Sequence, residues 1–111
     1  MEANYIANRL FDKLGVEMRI EKEETVCRFC AFLQPLRYKN KIYLSGVPTE
    51  LGYDGMNKYL LMCDPRVDFS EIDGITCRLI FGENAYGVDH CETIYGGKKP
   101  RYIWAIVHRE G

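Results

Sequence analysis

The residues with the clearest chemical potential are the two cysteines of the motif Cys27-Arg28-Phe29-Cys30. A thioredoxin-type pair needs its cysteines at a helix N-terminus, where the helix dipole lowers the thiol pKa. Here the motif lies within a predicted β-strand, and side chains alternate along a strand, so Cys27 and Cys30 should face opposite ways. The pattern therefore predicts two small apolar side chains, as are common in protein cores, rather than a redox pair.

A zinc site is the second chemistry that these cysteines suggest, and it would need two more ligands. The other candidate ligands are Cys63, Cys77, Cys91 and His90. No second C-x-x-C and no H-x-x-x-H motif accompanies them, and the side chains of His90 and Cys91, neighbours in a predicted strand, should diverge. We predict no metal and no cofactor, and we keep a cysteine-based zinc or redox protein as an alternative.

Acidic residues surround one predicted turn, at Asp64, Asp68, Glu71 and Asp73. They could bind a hard cation, but their spacing does not match a calcium loop, and a solvated turn explains them better. The sequence also contains no nucleophile elbow, phosphate-binding loop or zinc-protease motif. We therefore predict no catalytic residues and a protein that is not an enzyme.

Basic and aromatic residues are interleaved at Arg37, Tyr38, Lys39, Lys41 and Tyr43. Such a mixture can hold single-stranded nucleic acid on a small barrel, or it can face an acidic protein. The formal net charge of the chain is −1, whereas a general nucleic-acid binder would be strongly basic. The net charge favours protein contacts, and a single-strand binder remains an alternative.

Length and composition fit one domain over residues 1–111, because a chain that is 47% apolar and 13% aromatic can form a core. No apolar run approaches the roughly 20 residues that cross a membrane, so we expect no membrane association. The residues after Met1 lack the basic and then apolar layout of a signal peptide. The five cysteines cannot all pair within one chain, so we expect reduced thiols and synthesis in a cytosol.

Charge is unevenly distributed along the chain. Residues 27–45 carry four basic and no acidic side chains, residues 64–95 carry seven acidic and two basic ones, and the balance is basic again from residue 96. Solvated strand faces and loops would explain this distribution. A subunit with one positive and one negative flank would explain it equally well, and such a subunit suits head-to-tail packing of copies.

The hydrophobic pattern predicts one helix followed by short strands. Ile6, Leu10 and Leu14 have helical spacing, which predicts a helix over 4–14 that ends at Gly15. Apolar runs predict strands over 16–21, 26–34, 42–44, 59–63, 75–81, 85–95 and 102–108, with a bulge at Gly87 and a turn over 96–100. We predict a mainly β fold, a small antiparallel β-barrel or sandwich of about six strands over 16–108, with one N-terminal helix and a long irregular loop.

The long irregular loop spans residues 37–58 and contains several glycines and a proline. Its segment 40–56 is apolar for a loop, which indicates that a channel or a partner faces Tyr43, Val47, Leu51, Tyr53 and Met56. These side chains could equally fold over the mouth of the barrel itself. The sequence leaves both interpretations open.

The final predicted strand is apolar on both faces. One face carries Tyr102, Trp104 and Ile106, and the other carries Ile103, Ala105 and Val107. We expect both faces to be covered, since a strand that is solvated on one side alternates with polar residues. The barrel core would cover one face, and the N-terminal helix or a neighbouring subunit would cover the other.

Four segments resemble one protein family. They are Phe29-Cys30-Ala31-Phe32-Leu33-Gln34-Pro35-Leu36, Tyr59-Leu60-Leu61-Met62 with Asp64-Pro65, Asn84-Ala85-Tyr86-Gly87-Val88 with Glu92, and Lys99-Pro100-Arg101-Tyr102-Ile103-Trp104-Ala105-Ile106. Over roughly residues 26–108 the chain resembles the head completion, or stopper, proteins of tailed bacteriophages, including minor structural proteins of Gram-positive prophages. One departure is Gly87, where members of that family often carry Val or Leu.

The resemblance implies a structural β-barrel protein of the virion neck. Such proteins assemble as an oligomeric ring, the head–tail connector, between the portal and adaptor proteins and the tail. The ring closes the DNA channel after packaging and provides the tail attachment surface. Genomic DNA would pass through it without specific binding, and the protein would be made in the host cytoplasm. Another neck or tail component, such as a tail terminator, is the nearest alternative.

Overall fold

The computed structural model describes residues 2–36, 41–44, 47–50 and 58–110. Within these ranges the elements follow one another as β1 (Glu2–Ile6), α1 (Arg9–Leu14), β2 (Val16–Glu21), β3 (Thr25–Pro35), β4 (Lys41–Leu44), β5 (Val47–Glu50), β6 (Lys58–Cys63), β7 (Arg78–Phe81), β8 (Asn84–Gly96) and β9 (Lys99–Arg109). The fold is mainly β, as the sequence predicted.

Six of these strands close into an antiparallel barrel. They are hydrogen-bonded in the order β3-β2-β7-β8-β9-β6, and pairing of β3 with β6 completes the circle. The barrel form of the prediction is therefore confirmed over the sandwich form. Strand β1 lies outside this circle and pairs with β3 in parallel.

Strand β3 holds the barrel together because it is long and paired along both edges. One edge pairs with β2, and the other pairs with β1 over Thr25–Phe29 and with β6 over Ala31–Pro35. Helix α1 packs against its outer face at Phe32, so apolar residues occur on both faces of the strand. Pro35 ends it, as expected of a residue without an N–H.

The core lies inside the barrel and is formed by alternate residues of every barrel strand. Its completely enclosed side chains include Phe29, Leu61, Leu79 and Val107, each 0% exposed. The connection between β6 and β7 contributes Val67 and Phe69 to the same cluster, and the Phe29 and Phe69 rings meet edge to face at 6.1 Å. That connection therefore covers one end of the barrel.

The helix prediction over 4–14 is correct only for its second half. Residues up to Ile6 form β1, and the helix begins at Arg9. Asn8 separates the two because its backbone is extended, while its side chain accepts hydrogen bonds from the N–H groups of Leu10 and Phe11 as a helix N-cap. The helix packs on β3 through Phe11, whose ring lies 4.8 Å from that of Phe32.

Two strand boundaries and the position of one β-bulge also differ from the prediction. Residues 75–77 form a turn rather than the start of β7, because the Asp73 carboxylate accepts hydrogen bonds from their backbone N–H groups. The register of β8 shifts at Asp89, between Val88 and His90, and not at Gly87. The turn after β8 is confined to Gly97 and Lys98, and Pro100 already pairs with Tyr95.

The loop prediction over 37–58 needs one correction. The expected short strand at 42–44 is present as β4, but residues 47–50 also form a strand, and β4 and β5 pair as a separate antiparallel hairpin. Pro48, which suggested irregular structure, lies opposite Tyr43 in this hairpin. A two-stranded sheet consists of edges only, so a proline is tolerated there.

Candidate functional site

The two cysteines of the C-x-x-C motif lie on opposite faces of β3, as predicted. Cys27 is paired with Ile20, which is buried in the barrel, whereas Cys30 is paired with the exposed Glu17. The Cys30 sulfur lies outside the barrel, 3.5 Å from the Tyr5 hydroxyl. The motif therefore does not bring its two sulfurs together.

The remaining thiols differ in their exposure to solvent. Cys63 and Cys77 are buried and Cys91 is exposed. Burial raises the pKa of the Cys63 thiol strongly, which keeps it protonated and unreactive. In the part of the chain that the structure describes, no three His, Cys, Asp or Glu side chains are arranged to hold a metal ion.

The acidic residues after β6 are used in local structure. Asp64 is buried and accepts hydrogen bonds from Arg66 and from the Asn8 amide, at 2.9 Å each. Asp68 accepts from Ser70, and Glu71 pairs with Lys22. Asp73 caps its turn, and hydrogen bonds, first from the Thr76 hydroxyl, hold the pKa of its carboxyl far below the ordinary value. The turn interpretation accounts for them.

The outward-facing side chains of β6, β8 and β9, together with Leu36 after β3, form a second apolar cluster, which we call the outer apolar face. Its members are Leu36, Leu60, Met62, Ile94, Tyr102, Trp104 and Ile106. Ile106 is only 2% exposed although it points away from the barrel core. The prediction that β9 is covered on both faces is confirmed, but helix α1 packs on β2 and β3 instead.

A polar group borders the outer apolar face where β6 begins. The Asp89 carboxylate lies 2.9 Å from Lys58 Nζ and 2.7 Å from His108 Nδ1. Partial burial raises the pKa of Asp89, but the hydrogen bonds from Lys58 and His108 outweigh it, so the pKa lies below its ordinary value. A β-carbon at Gly87 would overlap the His108 imidazole, which explains why this chain has glycine there.

The insertion between β3 and β6 begins and ends at one end of the barrel. Its base is closed by a hydrogen bond, in which the Leu36 N–H donates to the Lys58 carbonyl at 2.9 Å. Of the predicted channel-facing or partner-facing residues, Tyr43 lies in β4 and Val47 in β5. Leu51, Tyr53 and Met56 lie outside the described residues, as do Arg37, Tyr38 and Lys39 of the basic and aromatic group.

Strands β8 and β9 extend beyond their barrel neighbours. Pairing with β6 begins at Ile103, and pairing with β7 ends at Tyr86. Residues 94–102, which we call the β8–β9 arm, therefore have only each other as strand partners among the described residues. The tip turns at Gly97, where φ is +68°.

Comparison with known proteins gives no relative from which a role could be transferred. The chain matches no protein-family model, no curated protein and no solved structure. Within the described ranges, helix length and hydropathy provide no candidate membrane-spanning helix.

Two of these features were not recognised in the sequence, namely the hairpin of β4 and β5 and the arm. The arm had a detectable signal, because the predicted strands 85–95 and 102–108 are longer than the predicted strand 59–63, which pairs with the second of them. Strands of unequal length in one sheet leave the longer ones without partners at their ends. The β4–β5 hairpin had no such signal, because its second strand contains a proline.

Proposed function

We propose that this protein is a non-enzymatic structural component of a tailed-bacteriophage neck. Copies would assemble as a ring between the portal and adaptor proteins and the tail. The ring would close the DNA channel after packaging and offer the tail its attachment surface. The protein would then be located in the virion.

The observation that carries this proposal is the insertion with a closed base. A closed barrel is a rigid support, and the hydrogen bond between Leu36 and Lys58 holds both ends of the insertion at one point of its rim. A segment that is anchored in this way can occupy a central channel while the barrels form the surrounding ring. Tyr43 and Val47 lie within the hairpin that such a segment would present.

The charge of the chain supports the same function. A wall that passes DNA functions best without many phosphate contacts, because each neutralised phosphate would retain the genome. The formal net charge of −1 fits this requirement. Several described acidic side chains near the barrel, such as Asp64 and Asp89, are also satisfied by partners within the chain.

Deletion of the gene in the lysogen that carries it tests the proposal. After induction we expect heads without attached tails that have lost their DNA, measured by electron microscopy and by nuclease sensitivity of the packaged genome. Complementation with the intact gene should restore tailed particles. Particles with normal tails and protected DNA would contradict the proposal, and DNA-filled heads beside free tails of abnormal length would instead identify a tail terminator.

A second variant tests the insertion itself. Because Leu36 and Lys58 already meet at the barrel rim, residues 37–57 can be replaced by an Asn-Gly turn without separating β3 from β6. We expect this variant to join particles and attach tails but to leave the DNA sensitive to nuclease. Full protection of the DNA by this variant would exclude the insertion as the closing device.

A further inference from the structure

The β8–β9 arm is poorly supported by its own subunit. An isolated two-stranded hairpin is at best marginally stable in water. Of the nine residues in this ribbon, Ile94 and Tyr102 pack against the outer apolar face, and the others need a covering surface. Its side chains are largely exposed, with Tyr95 at 61%. A partner that covers the arm would therefore stabilise it.

The tip of the arm is basic. Lys98 and Lys99 are exposed, and their side chains make no ion pair or hydrogen bond within the described residues. Arg101 follows them and lies across Gly96, where a β-carbon would overlap its side chain. A projecting ribbon with unpaired positive charges matches an acidic surface on its partner.

An acidic surface is present on the opposite side of the same barrel. The turn between β2 and β3 carries Glu23 and Glu24, which are exposed and form no ion pair within the described residues. Together with Lys22, Glu71 and Thr76 they line a shallow groove of about 450 Å³. Lys22 is already paired with Glu71, so the groove retains a negative charge.

The barrel topology puts the arm and the β2–β3 turn in positions where they can meet between two copies. In the circle of strands, β7 separates β2 from β8, and β6 separates β3 from β9, so the two hairpins lie on opposite sides. The alternating strand directions also bring the arm and the β2–β3 turn to the same end of the barrel. Two barrels set side by side in the same orientation therefore present an arm to a turn.

We propose that the β8–β9 arm of one copy docks against the β2–β3 turn of the next, with Lys98 and Lys99 opposite Glu23 and Glu24. This contact joins two different surfaces, so it repeats around a ring instead of ending at a dimer. It deepens the proposed neck function and rests on it, because it names the surfaces through which ring subunits meet.

Charge reversal with rescue tests the contact. We expect Lys98→Glu with Lys99→Glu, and separately Glu23→Lys with Glu24→Lys, to weaken self-association about tenfold or more at low ionic strength. The variant that carries all four changes should recover the wild-type association. The measurement is sedimentation velocity of concentrated protein, with circular dichroism to verify folding. Lys13→Glu with Glu83→Lys, at exposed sites elsewhere, is the matched control and should associate normally.

Zero-length carbodiimide cross-linking provides a second readout. In a mixture of ordinary and ¹⁵N-labelled protein, we expect a peptide with Lys98 or Lys99 of one copy joined to Glu23 or Glu24 of the other. The proposed contact would be overturned if the charge-reversed variants associate as tightly as the wild type, or if the variant with all four changes still associates weakly. A wild type that is monomeric and gives no such cross-link would overturn it as well. If the contact is overturned but deletion of the gene gives tailless heads, the proposed neck function is still supported. If the contact is confirmed but deletion gives normal particles, only the proposed neck function is contradicted.

Discussion

The two faces of strand β9 are covered in different ways. On the inner face, Ala105 and Val107 are 0% exposed and belong to the core that the barrel strands enclose. On the outer face, Ile106 and Trp104 are buried, at 2% and 9% exposure, but Tyr102 beside them is only half-buried. Burial is therefore complete on one face and decreases toward the rim on the other.

This difference shows that an apolar strand face can have two origins. The inner face has a fixed volume because the barrel is closed, and every side chain there must fit its neighbours. The outer face has no such closure, so it can be extended by a further layer of protein. A strand that is apolar at consecutive positions therefore contributes both to the core and to a partly covered outer face.

The largest expected difference between the faces comes from two consecutive leucines of β6. Leu61 is 0% exposed inside the barrel, and Leu60 is half-buried on the outer apolar face. Leu61→Ala should lower the free energy of unfolding by about 2–5 kcal/mol, because it leaves a cavity in a closed core. Leu60→Ala should cost about 1 kcal/mol, because neighbouring groups and water can fill the space. Urea unfolding measures both, and equal losses would contradict the distinction between the faces.

The second prediction concerns Asp64, the buried carboxylate that comes directly after β6. Partial burial raises the pKa of Asp64, but hydrogen bonds from Arg66 and Asn8 outweigh it, so its pKa lies below the ordinary value. A carboxyl with a lowered pKa stabilises the fold at pH values above its unfolded-state pKa of about 3.9. This stabilisation is lost as the pH falls through the pKa of the folded state. Asp64→Asn should cost about 2 kcal/mol at neutral pH.

The pH dependence of that variant provides its control. Stability of the wild type should fall as pH decreases below about 4, and the Asp64→Asn curve should fall less steeply. Glu83→Gln, at an exposed turn, should reproduce the wild-type curve. Parallel curves for wild type and Asp64→Asn would show that Asp64 carries none of the acid sensitivity.

A comparable effect is expected on the outer face at Gly87. Gly87→Val introduces a β-carbon that overlaps the His108 imidazole and displaces it from Asp89. The expected loss is about 1–3 kcal/mol, in the range of overpacking, measured by thermal or urea unfolding. The loss should decrease in a His108→Ala background, where the ring is absent. An unchanged loss there would indicate that the backbone, and not the ring, requires glycine.

The last prediction concerns the rates at which the thiols react, and not the free energy of unfolding. Cys91 is paired with Ala105 and so points to the inner side, yet it is exposed because the pairing of β8 with β7 ends at Tyr86. Mass-spectrometric thiol labelling of the folded protein should modify Cys91 well before Cys63. Early labelling of Cys63 would mean that the closed core opens readily, which would weaken the contrast between the two faces.

Alternation and turn residues predicted most of the fold from the sequence. Val16–Glu21 is a strand with the predicted bounds, and the apolar run before Pro35 is the central strand β3. Local patterns failed where long-range pairing decided the outcome. Residues before Asn8 have a helical pattern, but pairing with Thr25–Phe29 makes them a strand. The free edge of β3 in that region offers backbone hydrogen bonds that a short helix cannot match.

The candidate surfaces divide in the same way. The apolar outer face of β9 was predictable, because Tyr102, Trp104 and Ile106 occur at every second position. Strand lengths indicated the arm, but its position opposite the Glu23–Glu24 turn was not predictable, because that position depends on where neighbouring strands end and in which order strands pair. The structural role of the acidic residues in 64–73 was predictable from the sequence. The contact of Asp64 with Asn8 was not, because Asn8 lies far away along the chain.

The sequence by itself determined that this chain folds mainly into short β-strands, in a barrel or a sandwich, and that its C-terminal strand is apolar on both faces, because alternation and turn residues act over a few positions. Only the tertiary structure decided that β6 and β3 close the circle, that the insertion has a hydrogen-bonded base, and that arm and acidic turn lie on opposite sides. These properties depend on pairings between residues far apart in the chain, and such pairings are selected by the packing of the whole core.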